Sequence, residues 1–363
     1  MSTPKNKLPL YVGTYTKGES EGIYLLHFDP ATGAMEPVGV TPAENPSFLA
    51  SDPEGRWIYA VDELPGGRAD AMGIVTAYRI DQASGALEPI NQQPTHGTVP
   101  CYVSVDATGK VAMVANYGSG SVAAYPIGEG GALGQATSVH QHRGTGGDPA
   151  RQEGPHAHSI RPDTTNRRVL AADLGIDQIR LYQLDAGAAS LLPGDPIAVD
   201  VTPGSGPRHL EFSHDGRHLY AINELGNTVM AYGYDGDSGA ITHLQTISAL
   251  PDGWSGTSYC ADLHLHPNGR WLYGSNRGHD SIVGYAVDAA SGELSLIGHW
   301  SCGGAWPRNF CIAPDGKHVL VANQNSDNIV VLAIDDNTGA LTPTGHTFEV
   351  GAPVCLLMLP VPA

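Results

Sequence analysis

Short runs of Val, Ile, Leu, Tyr and Ala recur along the chain, punctuated by Gly, Pro, Asp and Asn. Runs such as TVMAYGYD (228–235) and SIVGYAVD (281–288) suit β-strands, and no long stretch places apolar residues at i, i+3, i+4 and i+7 between capping signals. The pattern predicts an all-β chain with few helices. It also repeats. PRHLEFSHDGRHLYAIN (207–223) has counterparts beginning at Pro46, Pro100, Pro155, Tyr259 and Pro307, each an apolar run, a polar turn and a second run ending in Asn or Asp. A seventh copy begins at Pro353 with PVCLLMLP and finds its continuation at the other end of the chain, in LPLYVGTYT (8–16).

Each copy spans roughly 46 to 55 residues and holds four strand signals, the size and content of a propeller blade. The expected architecture is a single domain, residues 1–363, forming a seven-bladed β-propeller with four antiparallel strands per blade, its ring closed by the N- and C-terminal strands. A solenoid would show atypical capping repeats at its ends. DPEG, HPNG and APDG lie between strands in their blades and read as type I turns rather than ligand loops.

The blade alignment maps one face of the ring. The start of each first strand and the end of each second strand reach the same mouth of the central channel. At the end of the second strand, the column Thr14, Asp62, Asn116, Asp173, Asn223, Asn276, Asn323 is uniformly small and polar, which suits a strand-to-turn transition. The next column, Tyr15, Glu63, Tyr117, Leu174, Glu224, Arg277, Gln324, varies in size and charge and is free for function. Just after the proline stand Ser47, Cys101, His156, Arg208, Ala261, Arg308 and Val354, with Phe48, Tyr102, Ala157, His209, Asp262, Asn309 and Cys355 beside them. One residue further on, an apolar row (Leu49, Val103, Leu210, Leu263, Phe310, Leu356) is interrupted by His158, which follows His156 by two and is expected to share a strand face with it.

Charge sharpens that map. The chain has 19 Lys plus Arg against 37 Asp plus Glu, a net charge of -18, which disfavours nucleic acid and anionic membranes as partners. Yet Arg208, Arg277 and Arg308 are predicted to meet at one mouth, an anion site built from guanidinium forks. The structural alternative is that each arginine pairs with a neighbouring carboxylate such as Glu211 or Glu224 and ties blades together. Two His pairs (156 and 158, 264 and 266), with His140 and His142 in a glycine-rich loop, lack the carboxylate or thiolate spacing of a metal site, and neither a P-loop nor a G-x-S-x-G elbow is present, so no metal or cofactor is expected. The five cysteines form no CxxC pair and no segment is apolar enough for a membrane span; with no apolar leader in MSTPKNKLPLYVGTYT, the expectation is a cytoplasmic protein with reduced thiols. Nothing in the pattern sets an oligomeric state.

RQEGPHAHS (151–159), GPRHLEF (206–212), INEL (222–225), YCADLHLHPNGRWLY (259–273), SNRGHDSI (275–282) and PRNFCIAPDGK (307–317) together resemble the lactonase family of seven-bladed propellers, over essentially the whole chain. The best known activity of that family is 6-phosphogluconolactone hydrolysis, and a fungal carboxymuconate cyclase is a divergent relative. The resemblance implies a small anionic lactone as substrate and a site at His158 or His156, Arg208, Glu224 and Arg277, three of which the blade alignment already places at the mouth. His156, His209, Arg308 and Asn309 are the expected substrate contacts. A cycloisomerase of muconate-type dicarboxylates would use the same arginines; a non-catalytic interaction propeller would present an exposed apolar or aromatic mouth.

Overall fold

The computed structural model describes residues 7–16, 18–63 and 72–359. Its strands form seven four-stranded antiparallel sheets, six of them from consecutive strands. The seventh is made by both ends of the chain: Pro353–Met358 lies beside Leu8–Thr14, with Leu10 opposite Met358 and Val12 opposite Leu356, followed by Gly22–Phe28 and Met35–Pro42. Blades are numbered here from this closing blade, so blade 2 begins at Pro46, blade 3 at Pro100, blade 4 at Ala157, blade 5 at Pro207, blade 6 at Tyr259 and blade 7 at Pro307. Among the described residues helix is confined to two single turns, Glu129–Gly131 and Leu174–Ile176.

Burial follows position in the blade. Second strands such as Val111–Asn116 and His218–Asn223 are buried along their whole length, whereas outer strands such as Ile241–Ser248 are mostly exposed or half-buried. Apolar residues on the two faces of each sheet pack against the neighbouring sheets. One cluster joins Leu170, Ala172 and Ile179 of blade 4 to Leu210, Leu219 and Met230 of blade 5. Burying side chains of this size contributes roughly 1.5–3 kcal/mol each, so the ring is held by its inter-blade seams. The hairpin turns are as expected: the Gly55 N–H donates to Asp52 O (3.0 Å), with Gly55 at φ 64° and Gly216 of blade 5 at φ 70°, values that favour glycine.

Two local features aim side chains at the channel. In each blade the pairing of first and second strands slips by one residue: Pro207 faces Asn223, but His209 faces Ile222, leaving Arg208 as a bulge. Ser47, Cys101 and Arg308 hold the same position. In blade 4 it is Ala157 that faces Asp173, and the slip falls at His158. The proline of PHAHS is therefore offset by two. His158 belongs with Arg208 and Arg308, Ser159 takes the place beside it, Ile160 completes the apolar row, and His156 precedes the strand instead of sharing a face with His158.

The second feature is a backbone clasp. The residue before the blade proline gives its carbonyl oxygen to the first residue after the second strand: Asn45 to Glu63 N (3.0 Å), Val99 to Tyr117 N (2.9 Å), Gly206 to Glu224 N (2.8 Å), Trp306 to Gln324 N (3.0 Å) and Ala352 to Tyr15 N (3.0 Å). The backbone of that column is thus fixed while its side chains are left free to vary. The small polar column beneath it is structural: Asp173 Oδ1 accepts from His156 N (2.7 Å) and Gly175 N (3.0 Å) at the turn, while Asn116 Nδ2 donates to Thr95 O (3.1 Å) and Asn276 Nδ2 to Ala249 O (2.7 Å), tying second strands to the ends of outer strands.

Candidate active site

The mouth is organised around Glu224. Its Oε1 accepts from Arg151 Nη2 (2.8 Å), and its Oε2 accepts from Arg277 Nη2 (2.6 Å) and Arg208 Nε (3.1 Å). Arg208 and Glu224 come from blade 5, Arg277 from blade 6 and Arg151 from the loop before blade 4, so one carboxylate collects guanidiniums from three parts of the ring. Arg208 is 2% exposed and Glu224 5%. Burial raises the Glu224 carboxyl, but Arg277 and Arg208 outweigh it and bring it down to about 2. Burial, with repulsion from Arg277 and Arg308, brings Arg208 down to about 10.

Arg308 is less committed. Among the described residues its carboxylate contact is Glu63 Oε2 at 3.7 Å, and it stands 5.5 Å from the Tyr15 ring. Among the described residues the mouth thus holds four guanidiniums against two carboxylates in a strongly acidic chain.

His158 is 4% exposed and lies between these groups, its Nδ1 3.7 Å from Cys101 Sγ and its ring 5.4 Å from that of His209. Burial, then Arg208, His209 and Arg308, hold its imidazole well below the usual range, so it is neutral at pH 7. His156 sits apart on the rim, stacked on Tyr117 at 4.5 Å with its Nδ1 2.9 Å from Tyr117 O. The two other candidates lie deeper. His209 Nδ1 is 2.7 Å from Asp262 Oδ1 and its Nε2 3.2 Å from Arg208 Nη1. Asn309 donates from Nδ2 to Asp262 Oδ2 (2.5 Å) and accepts from Leu356 N (2.6 Å). Both line a small central cavity of about 10 Å³, with Ser47, Cys101, Arg208 and Arg308. The bulge is what lets adjacent residues of one strand face the same space.

Sequence reasoning gave Arg151 no role. The glycine-rich loop that carries it is pinned by Gln152, wholly buried, which donates to Leu174 O (2.6 Å) and Asp177 Oδ1 (2.7 Å); Asp177 in turn accepts from the N–H groups of Gly147, Gly204 and Gly206. The signal was present in RQEGPHAHS, but the direction of a long loop is set by such distant partners. From sequence the loops 64–73, 140–154 and 251–258 are expected to shape access to the mouth; the first lies outside the described residues except at its last two positions. The histidine pairs do not act as pairs: His264 Nε2 reaches Asp262 Oδ2 (2.9 Å), whereas His266 Nε2 lies 2.7 Å from Gly316 O. A groove of about 750 Å³ between blades 1 and 2, lined mainly by apolar residues such as Tyr11, Leu25, Val38, Val40 and Leu87 with His27 and Glu36 also on its wall, shares no lining residue with this site.

Chemically, the mouth can bind an anion, stabilise a developing oxyanion with guanidinium donors, and accept a proton on a neutral imidazole. The family profile described as "Lactonase, 7-bladed beta-propeller" matches residues 9–358. A 6-phosphogluconolactonase of Bacillus subtilis is 38% identical over 301 residues, 83% of each chain, and one from Formosa agariphila is 35% identical over 311 residues, 84% of this chain and 86% of that one. Among solved structures, the periplasmic gluconolactonase of Pseudomonas aeruginosa superposes with a TM-score of 0.93 at 40% identity, covering 98% of this chain and all of that one.

Proposed function

The chain belongs to the seven-bladed β-propeller lactonase family, enzymes that hydrolyse cyclic carboxylic esters, and from that premise we propose that its substrate is 6-phosphogluconolactone and its product 6-phosphogluconate. The observation that carries the choice of a phosphorylated substrate is the excess of guanidinium over carboxylate at the mouth, which suits a dianionic group.

In this reading Arg308 and His156 meet the phosphate, while His209 and Asn309 form the floor of the pocket. Water attacks the ring carbonyl carbon, and His158 takes its proton. Glu224 is the weaker base, since its oxygens already hold three guanidiniums; it aligns Arg208, Arg277 and Arg151 for the oxyanion. Collapse of the tetrahedral intermediate breaks the bond from carbonyl carbon to ring oxygen, His158 returns the proton to that oxygen, and the new carboxylic acid ionises, releasing one proton to solvent. Bound phosphate offsets Arg308, one cause of the low basicity of His158, and so moves it toward a base matched to neutral pH. No cofactor enters this scheme. A cytoplasmic location belongs to the same proposal and fits cysteines that are all unpaired; no described helix is long and apolar enough to cross a membrane.

The test is hydrolysis of freshly generated 6-phosphogluconolactone, coupled to 6-phosphogluconate dehydrogenase, with and without chelator. Acceleration over the spontaneous rate that survives chelation is expected, with Arg208→Ala losing at least about tenfold in turnover. An unchanged spontaneous rate overturns the assignment. The P. aeruginosa relative makes unphosphorylated gluconolactone the second substrate to assay, and muconates the third.

A further inference from the structure

Asp262 lies on the inner strand of blade 6, one position below the bulge ring, and is 2% exposed. Its Oδ1 accepts from its neighbour Leu263 N (2.9 Å) and faces His209 Nδ1 (2.7 Å); its Oδ2 accepts from Asn309 Nδ2 (2.5 Å) and Phe310 N (3.3 Å) and faces His264 Nε2 (2.9 Å). An ionised carboxylate only accepts, so the ring nitrogen of His209 that faces it must carry the hydrogen. The other ring nitrogen is then a lone pair, and it lies 3.2 Å from Arg208 Nη1. The reverse tautomer would set N–H against N–H at Arg208 and a lone pair against the carboxylate. Arg208 has two further anchors, Glu224 Oε2 at Nε and Ala261 O (2.5 Å) at Nη1. His209 lines the central cavity together with that guanidinium and is the neighbour whose acceptor can be switched off by moving one proton.

We propose that Asp262 is a positioning residue for the hydrolytic site: it fixes His209 as the Nδ1–H tautomer, and through His209 Nε2 it fixes the orientation of the Arg208 guanidinium. The catalytic part rests on the reading of Arg208 given above; the tautomer part stands without it. An orienting carboxylate of this kind sets an imidazole's hydrogen without itself taking part in proton transfer.

The experiment uses the full chain. Imidazole 15N spectra, with the His209 signals assigned by their loss in His209→Gln, report the tautomer directly, and turnover of 6-phosphogluconolactone is measured on the same samples. Wild type is expected to show Nδ1–H at His209. Asp262→Asn is expected to mix or invert that tautomer and to lower kcat at least tenfold with a smaller change in KM. The Asp262→Asn/His209→Gln double variant is expected to match His209→Gln alone within about twofold, since a residue acting through another adds nothing once that other is gone. His264→Gln, which removes a different partner of the same carboxylate, should leave both the His209 tautomer and kcat near wild type.

An Nε2–H tautomer in wild type overturns the proposal even if Asp262→Asn does not fold. So do losses that multiply in the double variant, wild-type kcat in Asp262→Asn, or a His264→Gln defect as large as that of Asp262→Asn. Wild-type protein that shows the Nδ1–H tautomer but hydrolyses no lactone refutes the functional reading and leaves the tautomer lock standing.

Discussion

The two ends of the central channel are built by the same inner strands, yet they treat charge in opposite ways. At the mouth, Arg151, Arg208 and Arg277 share one carboxylate, and among the described residues the carboxylate contact of Arg308 is a long one, to Glu63. At the other end, where the inner strands finish around a cavity of about 430 Å³, the Arg161 guanidinium is matched by its own carboxylate, Glu211 (2.6 Å). Arg208 and Glu211 stand on the same strand, so chain topology does not explain the contrast. Balanced pairs tie neighbouring blades together and need nothing more. An unbalanced cluster of buried cations lowers the stability of the empty protein and is relieved by an incoming anion, which is the behaviour of a binding site.

The severest way to break the contrast is Glu224→Gln. It leaves three guanidiniums with a neutral partner, and a broken buried ion-pair network typically costs about 3–5 kcal/mol; turnover should fall about 100-fold or more as the oxyanion donors lose alignment. Urea unfolding and kcat check the two arms. Glu211→Gln at the opposite end, where the pair is partly exposed, should cost about 1 kcal/mol or less. Similar losses in the two variants would erase the distinction between the ends. The acid limb carries the same information. A carboxyl held at about 2, against its ordinary 4.5, contributes stability that is present above 4.5 and is lost as pH falls between those values; Glu224→Gln should lose that dependence.

Arg308→Ala comes next. Its guanidinium is the least committed at the mouth, so its removal is expected to raise KM for 6-phosphogluconolactone about tenfold or more while changing KM for unphosphorylated gluconolactone much less. Equal effects on both substrates would move the phosphate contact elsewhere. The pH profile is a finer probe. Because burial and neighbouring cations lower the His158 imidazole, the base form persists below pH 6.5, and kcat/KM should stay flat from pH 7.5 down to 6. Arg308→Ala removes one of those cations and should move the acid limb upward. A wild-type limb centred at 6.5 would identify a different base.

Much of this contrast could be read from the sequence, for a physical reason that also sets its limit. Repeats report backbone roles, so the blades, the closure by both termini and the column holding Glu63, Tyr117 and Glu224 were legible: the pre-proline clasp acts on backbone atoms and leaves their side chains free. The fault lay at PHAHS. Aligning on its proline put His156 in the ring and His158 in the apolar row, because a two-residue extension before a bulge has no signature in hydrophobic pattern; Ile160, the residue that does fill the row, was the available clue. Arg151 was hidden for a different reason. Its direction depends on Gln152 and Asp177 holding a loop across four glycines, contacts that no local spacing encodes.

The smallest effect is expected where the contrast predicts indifference. Arg161 donates to Leu210 O (2.5 Å) and Glu211 Oε2 from the strand end of blade 4, and the two side chains are 27% and 16% exposed. Replacing both, as Arg161→Leu with Glu211→Leu, deletes a pair without leaving an unpartnered charge, and exchanging a largely buried ion pair for apolar residues of similar size is often close to neutral. What is lost besides is one hydrogen bond to a backbone carbonyl, about 1 kcal/mol. The variant should therefore melt slightly lower, keep kcat within about twofold and keep the acid limb of kcat/KM where it is, because a charge-neutral change leaves the field at His158 nearly unaltered. A displaced acid limb would show that the opposite end sets the potential at the mouth, and the two ends of the channel would then have to be treated as one electrostatic unit.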